Sequence, residues 1–403
     1  MFRLIHFRPV ASTVEGDEKT HKVYKDHNLH VLFGVTLMAV LGVSSITPAF
    51  PEIRDALSIS SGQVGLLITV FTLPGIVLTP VLGVLSDRHG RKKILTPALV
   101  LFGIAGGLCV FARSFELLLL LRFFQGMGAA ALGTINVTVI GDIYSGCERS
   151  EALGYNSSVL SIGTATYPAI GGLLATVGWF YPFALAWIAI PVGLLVLFSL
   201  HNPEPHNEQR LKDYFGDVWK RLRHRQVLGL LCASLLTFII LFGPQLAFLP
   251  ILMDERFNAP AWLIGTVLSV GSLTTAATST QLGRITARFS ERTLLRTSFI
   301  VYATALAVIA FAPALPLLFV SAILFGIAQS MNIPNIFSLL NELAPSENRG
   351  AFMSINGMTL RIGQTIGPLL MASTAGLLGF TGAYIAAAGL AILSFFVILL
   401  LVR

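Results

Sequence analysis

Charge is what this chain has least of. Asp, Glu, Lys and Arg together make up 12% of its 403 residues, against roughly 25% in a soluble domain. With 54% hydrophobic residues and a mean hydropathy of +0.78, that deficit excludes a water-soluble globule and leaves a membrane-embedded chain. Cysteine is nearly absent too. Cys109, Cys147 and Cys232 show neither paired nor metal-ligand spacing, which argues against a disulfide framework and against a bound metal. The first 28 residues mix both charge signs and lack the apolar core, roughly 7–15 residues long, of a cleaved leader.

Carboxylates are missing from one place in particular. All 20 Asp and Glu fall in loops or within about one turn of a predicted span end. The eight His lie in loops or at the start of the first span. The middle of the membrane is left with two arginines, Arg122 and Arg361.

What the chain does have is a succession of apolar runs long enough to cross a bilayer, about 20 residues each. They fall near 29–51, 62–86, 94–112, 115–140, 152–177 and 179–200, then near 227–252, 262–283, 297–312, 315–341, 350–377 and 379–402. This predicts an all-α polytopic membrane protein of twelve spans. Its parts are a tail (1–28), a first half (29–200), a linker (201–226) and a second half (227–403). Within the linker, 210–222 has an amphipathic pattern suited to a membrane surface. With both termini in the cytosol, cytoplasmic segments hold 22 of the 27 Lys and Arg, as the positive-inside rule requires. The net charge of +7 then calls for an anionic bilayer surface and no nucleic acid.

The halves are copies. Gly83 and Arg88 recur 200 residues later as Gly283 and Arg288, Asp142 and Arg149 as Glu342 and Arg349, and Asn156, Gly163 and Pro168 as Asn356, Gly363 and Pro368. Duplicated halves in a membrane protein pack around a shared site near the midplane, the plan of a transporter.

The loop after the second span reads Gly83-Val-Leu-Ser-Asp87-Arg88-His-Gly90-Arg91-Lys92-Lys93. It resembles the signature loop of the major facilitator superfamily. The resemblance implies two six-helix halves that alternate access to a central cavity. It also implies a latch of Gly83, Asp87, Arg88, Gly90 and Arg91 that joins the halves when the cytosolic side is closed, with Asp142, Arg149, Arg288, Glu342 and Arg349 in the same network. The second copy has Ala287 in place of the acid, which predicts an asymmetric latch.

Three further segments resemble the twelve-span drug:proton antiporter branch: Arg122-Phe-Phe-Gln125-Gly126-Met-Gly128-Ala-Ala in span four, Leu41-Gly42 through Pro48 and Pro51 in span one, and Gly163 through Pro168, Gly171 and Gly172 in span five. Span five has Tyr167 where the branch has glycine, while the second half keeps Gly367-Pro368. The resemblance implies a bend at these glycines and prolines that favours export. The expected function is therefore export of small amphipathic organic compounds in exchange for protons from a cell membrane, bacterial and inner, by a single copy of the chain. It needs no cofactor and carries no enzyme activity. Uptake or facilitated diffusion of an organic anion, or movement of a lipid-like molecule, is the alternative.

Two readings of the charges stay open. Glu52, Asp55 or Glu116 could carry the coupling proton, with Arg122 tuning them; Arg122 could equally satisfy carbonyls of a neighbouring helix. Or the arginines, Arg361 first, attract an anionic head group. Polar candidates for the cavity are Ser44, Ser45, Gln125, Gln245, Gln329, Asn332, Asn335, Asn356 and Gln364, with Phe238 and Phe242 as apolar contacts.

Overall fold

A computed structural model describes residues 23–202, 224–343 and 349–402; the tail before Val23 and the amphipathic segment 210–222 lie outside the described residues. The spans are α1 His27–Ala56, α2 Ser61–His89, α3 Arg91–Phe111, α4 Phe115–Ile143, α5 Gly146–Val177, α6 Tyr181–Ser199, α7 Arg225–Phe257, α8 Ala261–Thr286, α9 Glu291–Phe311 and α10 Pro316–Leu343. The last helical stretch, Arg349–Leu401, breaks at Gly379 (φ 69°, ψ 175°) into α11 (349–378) and α12 (380–401). Gly379 takes a conformation that a side chain would disfavour, so it turns the chain between two spans.

Helix dominates because backbone N–H and C=O groups in hydrocarbon must be satisfied within their own segment. Several helices outrun the predicted spans because their polar ends carry caps. Ser60 caps α2 with a reciprocal bond to Gln63, Ser114 caps α4, and Ser290 caps α9. Gly90, at φ 99°, makes the tight corner between α2 and α3.

Two helices bend, for different reasons. In α1, Pro48 and Pro51 turn the chain through a 3₁₀ segment, Thr47–Ala49, as their spacing predicted. In α7, Leu241–Phe248 is wound as a π-helix around Pro244. Pro244 brings no N–H to the ladder, and its own carbonyl accepts from Leu249 N–H and from Tyr384 Oη (2.8 Å).

Polar knots hold each half together internally. Thr36 on α1 donates to Asn156 on α5 (2.5 Å), and Asn136 on α4 donates to Thr36 (2.6 Å). In the second half Ser234 on α7 donates to Asn356 on α11 (2.7 Å), Thr237 to Asn332 on α10 (2.7 Å), and Asn332 to Ser298 on α9 (2.8 Å). The repeated asparagines at 156 and 356 thus do the same thing twice: each accepts a hydroxyl proton from the first helix of its own half. Such ties hold helices together in a medium with no hydrophobic driving force between them.

Candidate functional site

The two halves meet along α5–α8 and α2–α11. Both contacts obey the repeat. Gly265 on α8 faces the carbonyl of Pro168 on α5, so closely that a β-carbon there would strike backbone. Its counterpart Gly65 on α2 faces the ring of Pro368 on α11, where a β-carbon would sit 3.3 Å away. Gly172 lies in the same way under the Ala261 carbonyl of α8, and Gly171 against the Ser45 carbonyl of α1. Gly367 and Gly363 bring α11 onto the α7 backbone at Ile239 and Leu235. These glycines and prolines therefore act as close-packing surfaces, the first role small residues have between membrane helices.

Among the described residues, charge ties the seam at one end. Arg54, on the last turn of α1, bonds Asp254 and Glu255 on α7 at 2.9 Å each and Asp55 at 2.8 Å. Ser61 adds a bond to Glu255. Deeper along the seam, Thr69 donates to Thr365 O (3.0 Å) and the Thr72 and Thr365 hydroxyls bond at 2.9 Å.

At the opposite end none of the described latch side chains bonds across the halves. Arg91, buried, binds Asp87 and Asp142 (3.0 Å) and Ser86 (2.7 Å), all in the first half. No atom lies within 4 Å of the position a β-carbon would take at Gly83 or at Gly283. Arg88, Arg288 and Glu342 are exposed, and Arg149 lies against Gly141 within its own half. Arg349 opens α11, with its side chain outside the described residues. In the second half the position matching Arg91 is Glu291, which accepts from Ser338 (2.8 Å). The asymmetry expected from Ala287 is thus larger than a single missing acid. Beside this cluster Tyr144 donates to Asp26 (2.7 Å). Burial first, then that carboxylate, pushes the phenol well above its usual range, so it stays a donor.

Arg122 is completely buried. It donates to Gly42 O on α1 (2.8 Å), Leu67 O on α2 (3.2 Å) and Gln125 Oε1 (2.6 Å), and its guanidinium lies 4.1 Å from the Phe71 ring centre. Among the described residues no carboxylate bonds it. Asp55 pairs with Arg54, Glu116 is exposed on the first turn of α4, and Glu52 sits on the α1 tip with one carboxylate oxygen buried and unpartnered. Of the open alternatives, carbonyl satisfaction is the one realised: Arg122 clamps three helices.

Several polar candidates for the cavity likewise have partners inside the bundle. Gln125 is the partner of Arg122. Ser45 donates to Leu41 O, Asn335 to Met331 O, and Asn332 and Asn356 belong to the internal knots; all are buried. A polar residue on an apolar helix is as useful between helices as toward a solute, and spacing alone does not separate the two roles. Gln245 is buried in the π-helix with its Oε1 unpartnered, and Gln329 accepts from Thr275 (3.4 Å). Ser44 and Phe238 remain half-buried, with Phe238 stacked on the buried Phe242 at 6.0 Å. Arg361 is half-buried at mid-length of α11 with Gln364 as partner (3.2 Å). It lies one turn from Thr365, on the side of the seam away from Arg54, against Gly75 of α2. The Arg54 gate was not expected from the sequence; the offset of 200 between Arg54 and Asp254 was its only signal.

The geometry is that of two six-helix bundles packed along the α5–α8 and α2–α11 seams and, among the described residues, tied by ion pairs at the Arg54 end alone. The profile of the Major Facilitator Superfamily matches residues 32–275 and 245–403, and the chain belongs to that superfamily of secondary transporters. It is 28% identical over 359 residues to the bacillibactin exporter of Bacillus subtilis (strain 168), covering 86% of this chain and 89% of that one. It is 27% identical over 354 residues to multidrug resistance protein 1 of the same organism, with the same coverage. Among solved structures, a bacterial homolog of the human lysosomal transporter Spinster, inward-facing and unoccupied, superposes with a TM-score of 0.80 at 16% identity, over 94% of this chain and 97% of that one. The human organic anion transporter MFSD10 does so with a TM-score of 0.70 at 18% identity, over 92% and 98%. At such identities the structures speak for the fold alone.

Proposed function

We propose that this transporter exports small amphipathic organic compounds from the cytosol in exchange for protons, and that the structure is its inward-open state. The observation that carries this reading is the polarity of the seam. Among the described residues ion pairs join the halves at the Arg54 end and none does at the Arg91 end, so in this reading the cavity opens toward the basic loops, the side the positive-inside rule assigns to the cytosol. A substrate loaded from that side leaves by the other once the Arg54 gate parts. Asp87 and Arg91, now held within the first half, become the contact that closes the cytosolic side. The two Bacillus relatives, an exporter and a multidrug resistance protein, support the direction. Both termini are cytoplasmic in this reading, the membrane is the bacterial inner membrane, and one copy suffices.

A second reading is a facilitator without a coupling ion. What favours it is that, among the described residues, every span carboxylate lies within the first or last two turns of its helix. Everted membrane vesicles decide between these. Under proton-coupled export, an imposed proton gradient, acid inside, drives uptake of a fluorescent substrate, and the substrate in turn dissipates the gradient. Uptake that ignores the gradient leaves the facilitator; gradient-driven loss from the vesicles overturns export.

A further inference from the structure

Arg361 is the one described arginine that stands at mid-span on the seam between the halves, half-buried, without a carboxylate or a backbone carbonyl as partner. Arg122, the other mid-membrane cation, is sealed inside the first half by two carbonyls and a glutamine. Arg361 instead has one hydrogen bond, Nη1 to Gln364 Oε1 at 3.2 Å. Its remaining donors have no partner among the described residues, and no ion pair reaches it.

The surroundings give this guanidinium room and a fixed place. On α2 a β-carbon at Gly75 would come within 3.1 Å of both Cδ and Nε of Arg361, so any side chain there would crowd the arginine. One turn further along α11, Thr365 accepts from Thr69 and bonds Thr72, closing the seam directly beyond Arg361 on the Arg54 side. The charge thus sits on the seam, one turn to the Arg91 side of the threonine contacts. An unpaired cation at that depth is costly, and an anion bound beside it recovers that cost. The planar fork suits a carboxylate, sulfonate or phosphate better than any neutral group.

We infer that Arg361, oriented by Gln364 and given space by Gly75, is the anion-binding point of the substrate site, and that the transported compounds are amphipathic organic anions. This rests on the reading of the chain as a transporter with an inward-open cavity. It does not depend on the direction of transport or on protons. Thr69, Thr72 and Thr365 form the gate that parts beyond the bound anion.

The test uses two dyes that share a xanthene skeleton and differ in charge: carboxyfluorescein, an anion, and a rhodamine ester, a cation. Their dissociation constants are measured on the full-length protein in nanodiscs, for the wild type, Arg361→Gln and Arg361→Lys. The wild type binds the anion more tightly. Arg361→Gln weakens carboxyfluorescein roughly 10–100-fold, the range for a hydrogen bond to a charged group, and leaves rhodamine unchanged or tighter. Arg361→Lys, which keeps the charge but loses the fork, falls between. A merely structural role would weaken both dyes together, so the ratio of the two constants is the readout. A wild type with no preference for the anion, or a ratio unmoved in Arg361→Gln, overturns the inference. If the anion binds through Arg361 but is not accumulated by everted vesicles, the export reading fails and this one stands. If it is accumulated equally by Arg361→Gln, the reverse holds.

Discussion

The two ends of this bundle use the same chemistry to opposite effect. At the Arg54 end one arginine reaches across the seam to Asp254 and Glu255. At the Arg91 end one arginine gathers Asp87 and Asp142 from its own half. Counting ion pairs would make the ends look alike; among the described residues, those at one end join the halves and those at the other do not. Partner choice, and not the number of charges, separates the two ends. The Arg54 pairs are partly exposed and contribute little each, which suits contacts that must break in every cycle.

The largest way to break the contrast is at Gly265. A Gly265→Leu side chain would strike the Pro168 carbonyl, and overpacking of that kind costs about 1–3 kcal/mol or more. The Arg54 end should then fail to close and transport should fall at least ~10-fold, while a cysteine-reactive probe gains access from that side. Gly65→Leu, whose β-carbon comes no closer than 3.3 Å to the Pro368 ring, with the Phe248 ring and the Pro368 carbonyl further off, should have a smaller effect; equal losses would show that the two seams do not differ in this way.

Removing the three-helix clamp comes next. Arg122→Leu leaves the Gly42 and Leu67 carbonyls and Gln125 without their donor, which should lower stability by roughly 2–3 kcal/mol, read as thermal unfolding in detergent. If Arg122→Leu keeps full stability and loses only proton coupling, Arg122 is a coupling residue and not a clamp.

Arg54→Ala should weaken the closed gate by about 1 kcal/mol, raising probe access from the Arg54 end. Because the pairs are partly exposed, high salt should shrink the difference between this variant and the wild type. Arg91→Ala should leave that access unchanged, since Arg91 joins no second-half residue in this state. The smallest effect is expected at the asparagine knots. Asn156→Ala and Asn356→Ala should each cost about 1 kcal/mol of stability with little change in substrate affinity. A selective loss of affinity in Asn356→Ala would return that residue to the substrate site.

The comparison of halves sharpens the same lesson. Gly65 and Gly265, Pro168 and Pro368, Asn156 and Asn356 keep both residue and role across the repeat, because each is used for backbone approach or a buried hydroxyl bond that both halves need. Arg91 and Arg122 have Glu291 and Ala322 at the matching positions, so the cluster and the clamp belong to the first half alone. Duplication preserved the packing and released the charges.

Much was legible from residue order alone. Hydropathy and length determine twelve spans because a bilayer has a fixed thickness and admits only internally bonded segments. The repeat determines equal halves, and Pro48 and Pro51 determine the bend of α1, because a missing N–H acts locally. Partner choice was decided only in three dimensions. Whether Arg122 meets a carboxylate or a carbonyl, whether Asn356 faces a solute or Ser234, and whether Asp87 reaches across the seam or to Arg91 depend on residues tens to hundreds of positions away. Spacing along one helix records which side chains share a face, and only the packing of the other helices shows what that face meets.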